Sequence, residues 1–175
     1  MRSVYILLTK SNTYFSKFIH HMTADEFTHS SISLDRDLRR VYSFGRLNPR
    51  LMWPAGFVKE DVRAGLFKNS ENNNCCLFEL IVSDEVYDRI QIEIELMEKE
   101  ADKYRYSLAG AVYCKLNREY HKEYKYFCSE FVSDVLAKSG ALDLPKATSL
   151  MRPVDFCEIQ DLNMLYRGEL KYCIQ

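Results

Sequence analysis

Two residue types suited to nucleophilic catalysis stand at informative places in this chain: a cysteine where a helix is predicted to begin, and a histidine in a distant predicted strand. Apolar residues recur at helical spacing after Cys128, which predicts a helix over residues 128–139 that ends at Gly140. A thiol in the first turn lies near the positive end of the helix dipole and near free backbone N–H groups. Both favour the thiolate, which is the nucleophilic form, and the same N–H groups can stabilise an oxyanion.

A thiolate needs a base, and His29 is the best candidate among the four histidines. His20 and His21 lie in or just after a predicted amphipathic helix, and His121 lies in a charged, lysine-rich loop, so all three are expected to be solvated. His29 opens a predicted strand whose neighbours are small and hydroxylic, which leaves room beside the imidazole. A strand also fixes the orientation of a side chain better than a loop does.

Both residues also have a purely structural interpretation. Free cysteines are among the most buried residue types, so Cys128 can be an inert core residue. His29 can be a strand histidine whose ring is simply hydrogen-bonded. A structural or partner-binding protein is therefore the hypothesis that competes with an enzyme. The separation of the two side chains discriminates between them, because a catalytic pair needs hydrogen-bond reach.

Motifs around both residues resemble those of a known superfamily. Residues 28–34 (T-H-S-S-I-S-L) are similar to the His strand, and residues 126–132 (Y-F-C-S-E-F-V) to the start of the Cys helix, of permuted NlpC/P60 (papain-like) proteins. Residues 104–106 (Y-R-Y) and 152–156 (R-P-V-D-F) resemble the same branch, which includes YiiX-like and lecithin:retinol acyltransferase-like proteins. In that branch the His strand precedes the Cys helix, as it does here, and the resemblance covers most of the chain.

The resemblance implies a fold, a domain organisation and a reaction. The fold would be a circularly permuted, papain-like NlpC/P60 fold of the α+β class, with an antiparallel sheet packed against helices, in a single domain over residues 1–175. Cys128 would attack the carbonyl carbon of an amide to form a thioester, and His29 would shuttle the proton. The implied substrate is a peptide, a cell-wall peptide, or a γ-glutamyl or lysyl amide. Two alternatives keep the fold: a lipid acyltransferase or thioesterase, and a non-catalytic binding module that retains the cleft.

The third catalytic position departs from the family pattern. In the family, a polar residue on the strand after His29 orients the imidazole, and the predicted partner strand offers no His, Asn, Gln or Glu. Ser43 is the candidate, because a turn with an odd residue count puts it on the same face as His29. A register change of one residue would select Arg46, which suits a substrate carboxylate better than an imidazolium. Tyr126 and Trp53 are the candidates for lining the substrate cleft, the alternative being ordinary core or loop aromatics.

Periodicity predicts the elements that must position these residues. Strands are predicted over residues 3–9, 27–34, 40–45, 56–62, 75–82 and 170–174, and helices over residues 12–22, 84–104 and 128–139. Ser83 is predicted to cap the second of these helices. Strands and helices in this order indicate an α+β protein.

Composition and charge exclude several other classes of function. The 175 residues carry a formal net charge of −1, which gives no global field to recruit nucleic acid or an anionic membrane. No stretch reaches the ~18 apolar residues of a membrane span, and the N-terminus has no signal-peptide pattern, so a cytoplasmic protein is expected. The six cysteines are expected to be free thiols, and their spacing matches no zinc site. No cofactor or metal is predicted, and the oligomeric state is left open.

Overall fold

A six-stranded antiparallel sheet organises the part of the chain that the structure describes. The structure is a computed structural model and describes residues 1–10, 25–48, 51, 53–63 and 74–173. The strands are β1 (Arg2–Thr9), β2 (His29–Ser33), β3 (Val41–Arg46), β4 (Ala55–Glu60), β5 (Asn74–Val82) and β8 (Asn163–Glu169). Their order across the sheet is β4-β3-β2-β1-β5-β8, and every neighbouring pair is antiparallel.

Helices and one short parallel strand pair make up the remaining regular structure of the described residues. The helices are α1 (Asp84–Lys99), α2 (Leu108–Lys115), α3 (Cys128–Lys138) and α4 (Leu170–Cys173). The parallel pair is β6 (Arg105–Tyr106) with β7 (Lys125–Tyr126), and β7 leads directly into α3. Three short 3₁₀ helices cover Ala101–Lys103, Thr148–Leu150 and Pro153–Glu158.

The apolar stripe of α3 packs on β2 and β3 and fixes the helix against the sheet. Phe131, Val132 and Leu136 are fully buried on this stripe. The ring of Phe131 lies 5.3 Å from that of Phe44 on β3 and 5.7 Å from that of Phe57 on β4, measured between centroids. Each such side chain contributes about 1.5–3 kcal/mol through burial. The position of the first turn of α3 is therefore set by its own core contacts.

The strand register determines where His29 lies. Thr9, the last residue of β1, pairs with His29, so His29 stands at the very start of β2. On the far side of β3, Val41 pairs with Glu60, the last residue of β4. Only β3 lies between β2 and β4 in the sheet, and the long side chain of Glu60 reaches diagonally across it toward His29.

Most predicted elements are confirmed, including the α+β class and the antiparallel sheet. The first five strands that the structure describes fall within about two residues of the predicted ranges, and Ser83 caps α1 by accepting a hydrogen bond from Val86 N at 3.2 Å. The predicted helix at residues 12–22 lies outside the described residues. Among the described residues, no helix has the length and apolar character needed to cross a membrane.

The C-terminal prediction was wrong. The last strand, β8, ends at Glu169, and residues 170–173 form the one-turn helix α4 instead of a strand. β8 is an edge strand, and most of its residues are partly or fully exposed. An edge strand of this kind carries no clear alternation of apolar and polar residues, which is the signal that predicts strands. Helix α2, which begins after a Ser107 cap, was also not predicted.

Candidate active site

Cys128 is the first residue of α3, and only 4% of it is exposed. Two contacts hold this helix start. Oε2 of Glu130 accepts a hydrogen bond from Phe127 N at 3.4 Å, as in a capping box. Helix α2 also comes close at Gly110, where a Cβ would lie 3.2 Å from the Phe127 ring and 2.7 Å from Ser107 Oγ. The thiol therefore lies at the positive end of the α3 dipole, in a tightly packed first turn.

A hydrogen bond joins the side chains of Cys128 and His29. Burial alone would raise the pKa of the Cys128 thiol, but the hydrogen bond and charge of His29, together with the Ser30 backbone, lower it below its ordinary value. Burial would likewise lower the pKa of His29, yet the charge of Glu60 and the contact with Cys128 raise it to about 10. Both shifts favour a thiolate beside an imidazolium.

Glu60 is the group that holds the other side of the His29 ring. Oε1 of Glu60 lies 2.7 Å from His29 Nε2 and accepts a hydrogen bond from Ser43 Oγ, also at 2.7 Å. Oε2 accepts a hydrogen bond from Ser31 Oγ at 2.6 Å. Because a carboxylate can only accept, His29 Nε2 carries a proton, and Nδ1 is the ring nitrogen that remains for Cys128.

The environment keeps Glu60 ionised. Burial raises the pKa of a carboxyl group, but the charge and hydrogen bond of His29 and the hydroxyls of Ser31 and Ser43 outweigh it, so the pKa of Glu60 is lowered. The negative charge of Glu60 in turn stabilises the imidazolium of His29. Three neighbouring strands thus build one hydrogen-bond network: β2 supplies His29 and Ser31, β3 supplies Ser43, and β4 supplies Glu60.

Tyr106, on the short strand β6, is a further neighbour of the thiol. It is buried on β6, and its side chain hydrogen-bonds both the side chain and the backbone of Cys128. Burial and the nearby thiolate raise the pKa of Tyr106 well above its ordinary value, so the phenol keeps its proton. A protonated hydroxyl next to the backbone of the first helical residue is a suitable donor to an oxyanion.

Close backbone packing holds β6 in place. A Cβ on Gly56 of β4 would lie 2.5 Å from the carbonyl oxygen of Tyr104, so a side chain there would force the two segments apart. On its other side, the segment is tied to β7, where Ser107 N donates to the carbonyl oxygen of Tyr126 at 2.8 Å. These contacts fix Tyr106 relative to both β4 and α3.

A small pocket of about 40 Å³, partly open to solvent, lies beside Cys128. Phe27 and Phe127 contribute apolar walls. Asp25 and Arg152 also line it and form an ion pair, with Arg152 Nη1 3.3 Å from Asp25 Oδ1. The pocket can therefore take an apolar group next to the thiolate and offers charges of both signs to a polar end of the ligand.

The segment of residues 152–156 builds one side of this pocket. Asp155 is buried, and its Oδ2 accepts a hydrogen bond from Arg152 N at 2.6 Å and lies 2.6 Å from Lys146 Nζ. These bonds hold Arg152 and Pro153 where they line the pocket. Asp155 thus positions this wall of the pocket.

The remaining predicted site residues lie elsewhere. Ser43 is buried and donates to Glu60, so it reaches the imidazole of His29 only through that carboxylate. Arg46 is three residues further along β3 than Ser43 and therefore points to the other face of the sheet. Tyr126 is buried in the core, and Trp53 is about half exposed. None of Arg46, Tyr126 and Trp53 is among the described residues that line the pocket beside Cys128.

Sequence reasoning missed two residues of the site. Glu60 was placed in a predicted strand, but the register that brings it to His29 cannot be read from the sequence. The only available signal was a carboxylate at the end of a strand next to the predicted hairpin. Tyr106 belongs to the Y-R-Y motif at residues 104–106, but its strand could not be predicted because a two-residue strand has no periodicity.

The six cysteines, all described, differ sharply in acidity. The pKa is lowered in Cys128 and in Cys173. Burial raises it to about 11 in Cys76 and to about 12 in Cys114, so these thiols are unreactive at neutral pH. Within the described ranges, no group of three or more His, Cys, Asp or Glu side chains is arranged to hold a metal ion.

No protein-family model matches this chain, and no curated protein sequence matches it. The site nevertheless contains the parts of an activated nucleophile: a thiol at a helix start, an imidazole within hydrogen-bond reach, and a carboxylate that orients the imidazole. Their chemistry is inferred from this geometry.

Proposed function

We propose that this protein is a cysteine hydrolase that cleaves an amide bond through a thioester on Cys128. His29 is the base and acid, and Glu60 orients His29. The observation that carries the proposal is the chain of hydrogen bonds from Glu60 through His29 to Cys128. A nucleophile, a base and a group that orients the base recur in acyl-transfer enzymes on unrelated folds.

Acylation starts with attack of the Cys128 thiolate on the carbonyl carbon of the substrate. A C–S bond forms, and the carbonyl electron pair moves to oxygen. When the tetrahedral intermediate collapses, the C–N bond breaks and the imidazolium of His29 gives its Nδ1 proton to the leaving amine. The amine departs and leaves a thioester beside a neutral imidazole.

Deacylation reverses the role of His29. The neutral imidazole takes a proton from water at Nδ1 while the water oxygen bonds to the thioester carbon. The C–S bond then breaks, the carboxylic acid leaves, and the thiolate and imidazolium are restored. Glu60 stays ionised throughout and holds the ring in one orientation through Nε2.

Both tetrahedral intermediates carry an oxyanion, and two donors suit it. One is the backbone N–H of Cys128 at the start of α3, and the other is the hydroxyl of Tyr106. Loss of a single donor of this kind costs other enzymes about 10²–10³ in turnover. We assign the same role to Tyr106 here.

The proposed fold is the circularly permuted NlpC/P60 arrangement, and the proposed substrate class is a peptide, a cell-wall peptide, or a γ-glutamyl or lysyl amide. The order of the His strand before the Cys helix and the motifs at residues 28–34 and 126–132 support the fold. The Asp25–Arg152 pair beside the pocket supports a substrate with charged groups near the scissile bond.

A second candidate is an acyltransferase or thioesterase that uses the same thioester. The observation that favours it is the apolar wall formed by Phe27 and Phe127 next to Cys128, which suits an acyl chain. The two candidates share acylation of Cys128 and differ in the group that departs.

Alkylation of the purified protein tests the proposed nucleophile. The rate of iodoacetamide addition to Cys128 is measured from pH 5 to pH 10 by peptide mass spectrometry. We expect Cys128 to react as a thiolate well below pH ~8.5, the ordinary thiol pKa, and His29→Gln to slow the reaction at pH 6.5 by about 10- to 100-fold. Cys76 and Cys114, measured in the same digest, are the unreactive controls. Equal labelling of all three thiols would contradict the proposal.

A substrate panel then separates the two candidates. Peptide, γ-glutamyl and lysyl amides with a fluorogenic amine are compared with acyl thioesters of two to twelve carbons. Turnover of an amide that disappears in Cys128→Ser supports the hydrolase. Turnover of the thioesters alone supports the second candidate. A reactive Cys128 that turns over neither class, and whose mass never shows an acyl adduct, leaves a binding module.

A further inference from the structure

A pair of cysteines lies in the small core on the other side of the sheet from α3. Cys75 begins the buried part of β5, and Cys173 ends α4, which packs on β5. Both side chains belong to the same apolar cluster, together with Leu77 and Leu170. Their thiols hydrogen-bond each other. Two thiols that already share a hydrogen bond need little backbone movement to form a disulfide.

The two thiols differ in exposure, and the difference suits stepwise oxidation. Cys173 is half-buried, whereas Cys75 is fully buried. The accessible thiol can react with an oxidant first, and its buried partner can then resolve the product.

We propose that Cys75 and Cys173 are a peroxide-sensitive dithiol that closes to a reversible disulfide. The Cys173 thiolate attacks one oxygen of hydrogen peroxide; the O–O bond breaks, water forms with the thiol proton, and Cys173 becomes a sulfenic acid. The Cys75 sulfur then attacks that sulfur; an S–S bond forms, the S–O bond breaks, and a second water leaves with the Cys75 proton. Two thiols and one peroxide give one disulfide and two waters, and a dithiol reductant reverses the reaction.

The disulfide would clamp the C-terminal helix to the sheet. It would join positions roughly 100 residues apart, a span over which a cross-link strongly restricts the unfolded chain. In the sheet, Thr9 pairs with Cys75 on one side and with His29 on the other, so the clamp is anchored two strands from the imidazole. This site is independent of the proposed hydrolase activity, because it uses neither Cys128 nor its base.

Cys157 offers a matched comparison. It is also half-buried, and it lies near Cys76, which is buried like Cys75. Burial, not a thiol partner, is the main influence on Cys157, and it raises the pKa of Cys157. Similar exposure without a hydrogen bond to a second thiol should therefore leave Cys157 reduced.

Thiol counting in the full-length Cys128→Ser protein tests the proposal, since this variant removes the competing nucleophile. Of its five thiols, two should disappear together on treatment with hydrogen peroxide and return with dithiothreitol, and the digest should contain one cross-linked peptide that joins Cys75 to Cys173. Cys157→Ser added to this protein should lose the same two thiols. Cys173→Ser should lose none, and its melting temperature should not rise with peroxide, whereas the parent's should rise by about 5 °C or more.

Three results would overturn the proposal: a cross-link that joins other cysteines, pairwise loss that survives Cys173→Ser, or conversion of Cys173 to sulfinic acid without a cross-link. Cys75→Ala provides a second variant, because its small apolar side chain suits the buried position. It should block the cross-link as Cys173→Ser does.

Discussion

Two histidine–glutamate pairs of similar length occur in the described part of the chain, and the pKa values of their carboxylates shift in opposite directions. His29 Nε2 lies 2.7 Å from Glu60 Oε1, and His121 Nδ1 lies 2.9 Å from Glu130 Oε1. Both glutamates are well buried, with 9% and 1% of their side chains exposed. Yet the pKa of Glu60 is lowered and the pKa of Glu130 is raised.

The difference follows from the other partners of each carboxylate. Glu60 also accepts hydrogen bonds from two serine hydroxyls at 2.6–2.7 Å, and its histidine is mostly buried. Glu130 has only a long hydrogen bond from Phe127 N at 3.4 Å beside His121, whose side chain is 54% exposed. Burial therefore dominates at Glu130 and is outweighed at Glu60. A histidine neighbour alone does not keep a buried carboxylate ionised; the full set of donors does.

The largest test of this comparison replaces each glutamate by its neutral isostere. Glu60→Gln should slow alkylation of Cys128 at pH 6.5 by about 10- to 100-fold, because His29 loses the charge that stabilises its imidazolium. Glu130→Gln should change the same rate by less than about threefold. Equal rates for the two variants would remove Glu60 from the proposed site.

A single serine donor should have a smaller effect. Ser43→Ala removes one of the hydroxyls that hold Glu60, and a hydrogen bond to a charged group is worth about 1.5–3 kcal/mol. Urea unfolding at pH 7 should show a loss of this size. Ser33→Ala is the control: Ser33 is a buried serine of β2 whose hydroxyl donates to the neutral carbonyl of Asp35 at 2.8 Å and accepts from Asp35 N at 3.3 Å. Each of these neutral bonds is worth about 0.5–1.5 kcal/mol, and neither involves a charged group.

The finest test is the sign of the pH dependence of stability. The lowered pKa of Glu60 means that its stabilising contribution is complete above the unfolded value of about 4.3 and is lost as the pH falls through its folded value. The raised pKa of Glu130 means that this residue costs stability as the pH rises above the same unfolded value. Between pH 3 and pH 7, the free energy of unfolding of wild type minus Glu60→Gln should rise. Over the same pH range, the free energy of unfolding of wild type minus Glu130→Gln should fall. If both differences rise or both fall, the two carboxylates do not differ as described.

The sequence predicted the helix start and the strand that carry Cys128 and His29, because both depend on local patterns. The apolar stripe after Cys128 fixes a helical period, and the small polar residues around His29 bound a strand. Glu60 could not be predicted in the same way. It reaches His29 across β3, and eight residues separate Arg46 of β3 from Ala55 of β4, too many for a two-residue turn to set the register.

Other features escaped prediction for related physical reasons. Tyr106 lies on a two-residue strand. The position of this strand depends on the close approach of Gly56 to the Tyr104 backbone, which is a tertiary contact. The C-terminal strand was predicted over residues 170–174 instead of Asn163–Glu169 because an edge strand shows no alternation. Local sequence thus predicted the elements, and long-range pairing decided which side chains meet.

The separation of Cys128 from His29 and Glu60 along the chain makes the acidity of its thiol a report on folding. In an unfolded or newly synthesised chain, the cysteine is about a hundred residues from its imidazole and has the ordinary pKa of a free thiol. Only in a molecule in which β2, β3, β4 and α3 have assembled does His29 lower the pKa of the thiol. A thiol-selective fluorophore added at mildly acidic pH should therefore mark Cys128 in folded molecules and pass over the unfolded ones, and its signal would count the folded fraction in a mixed population.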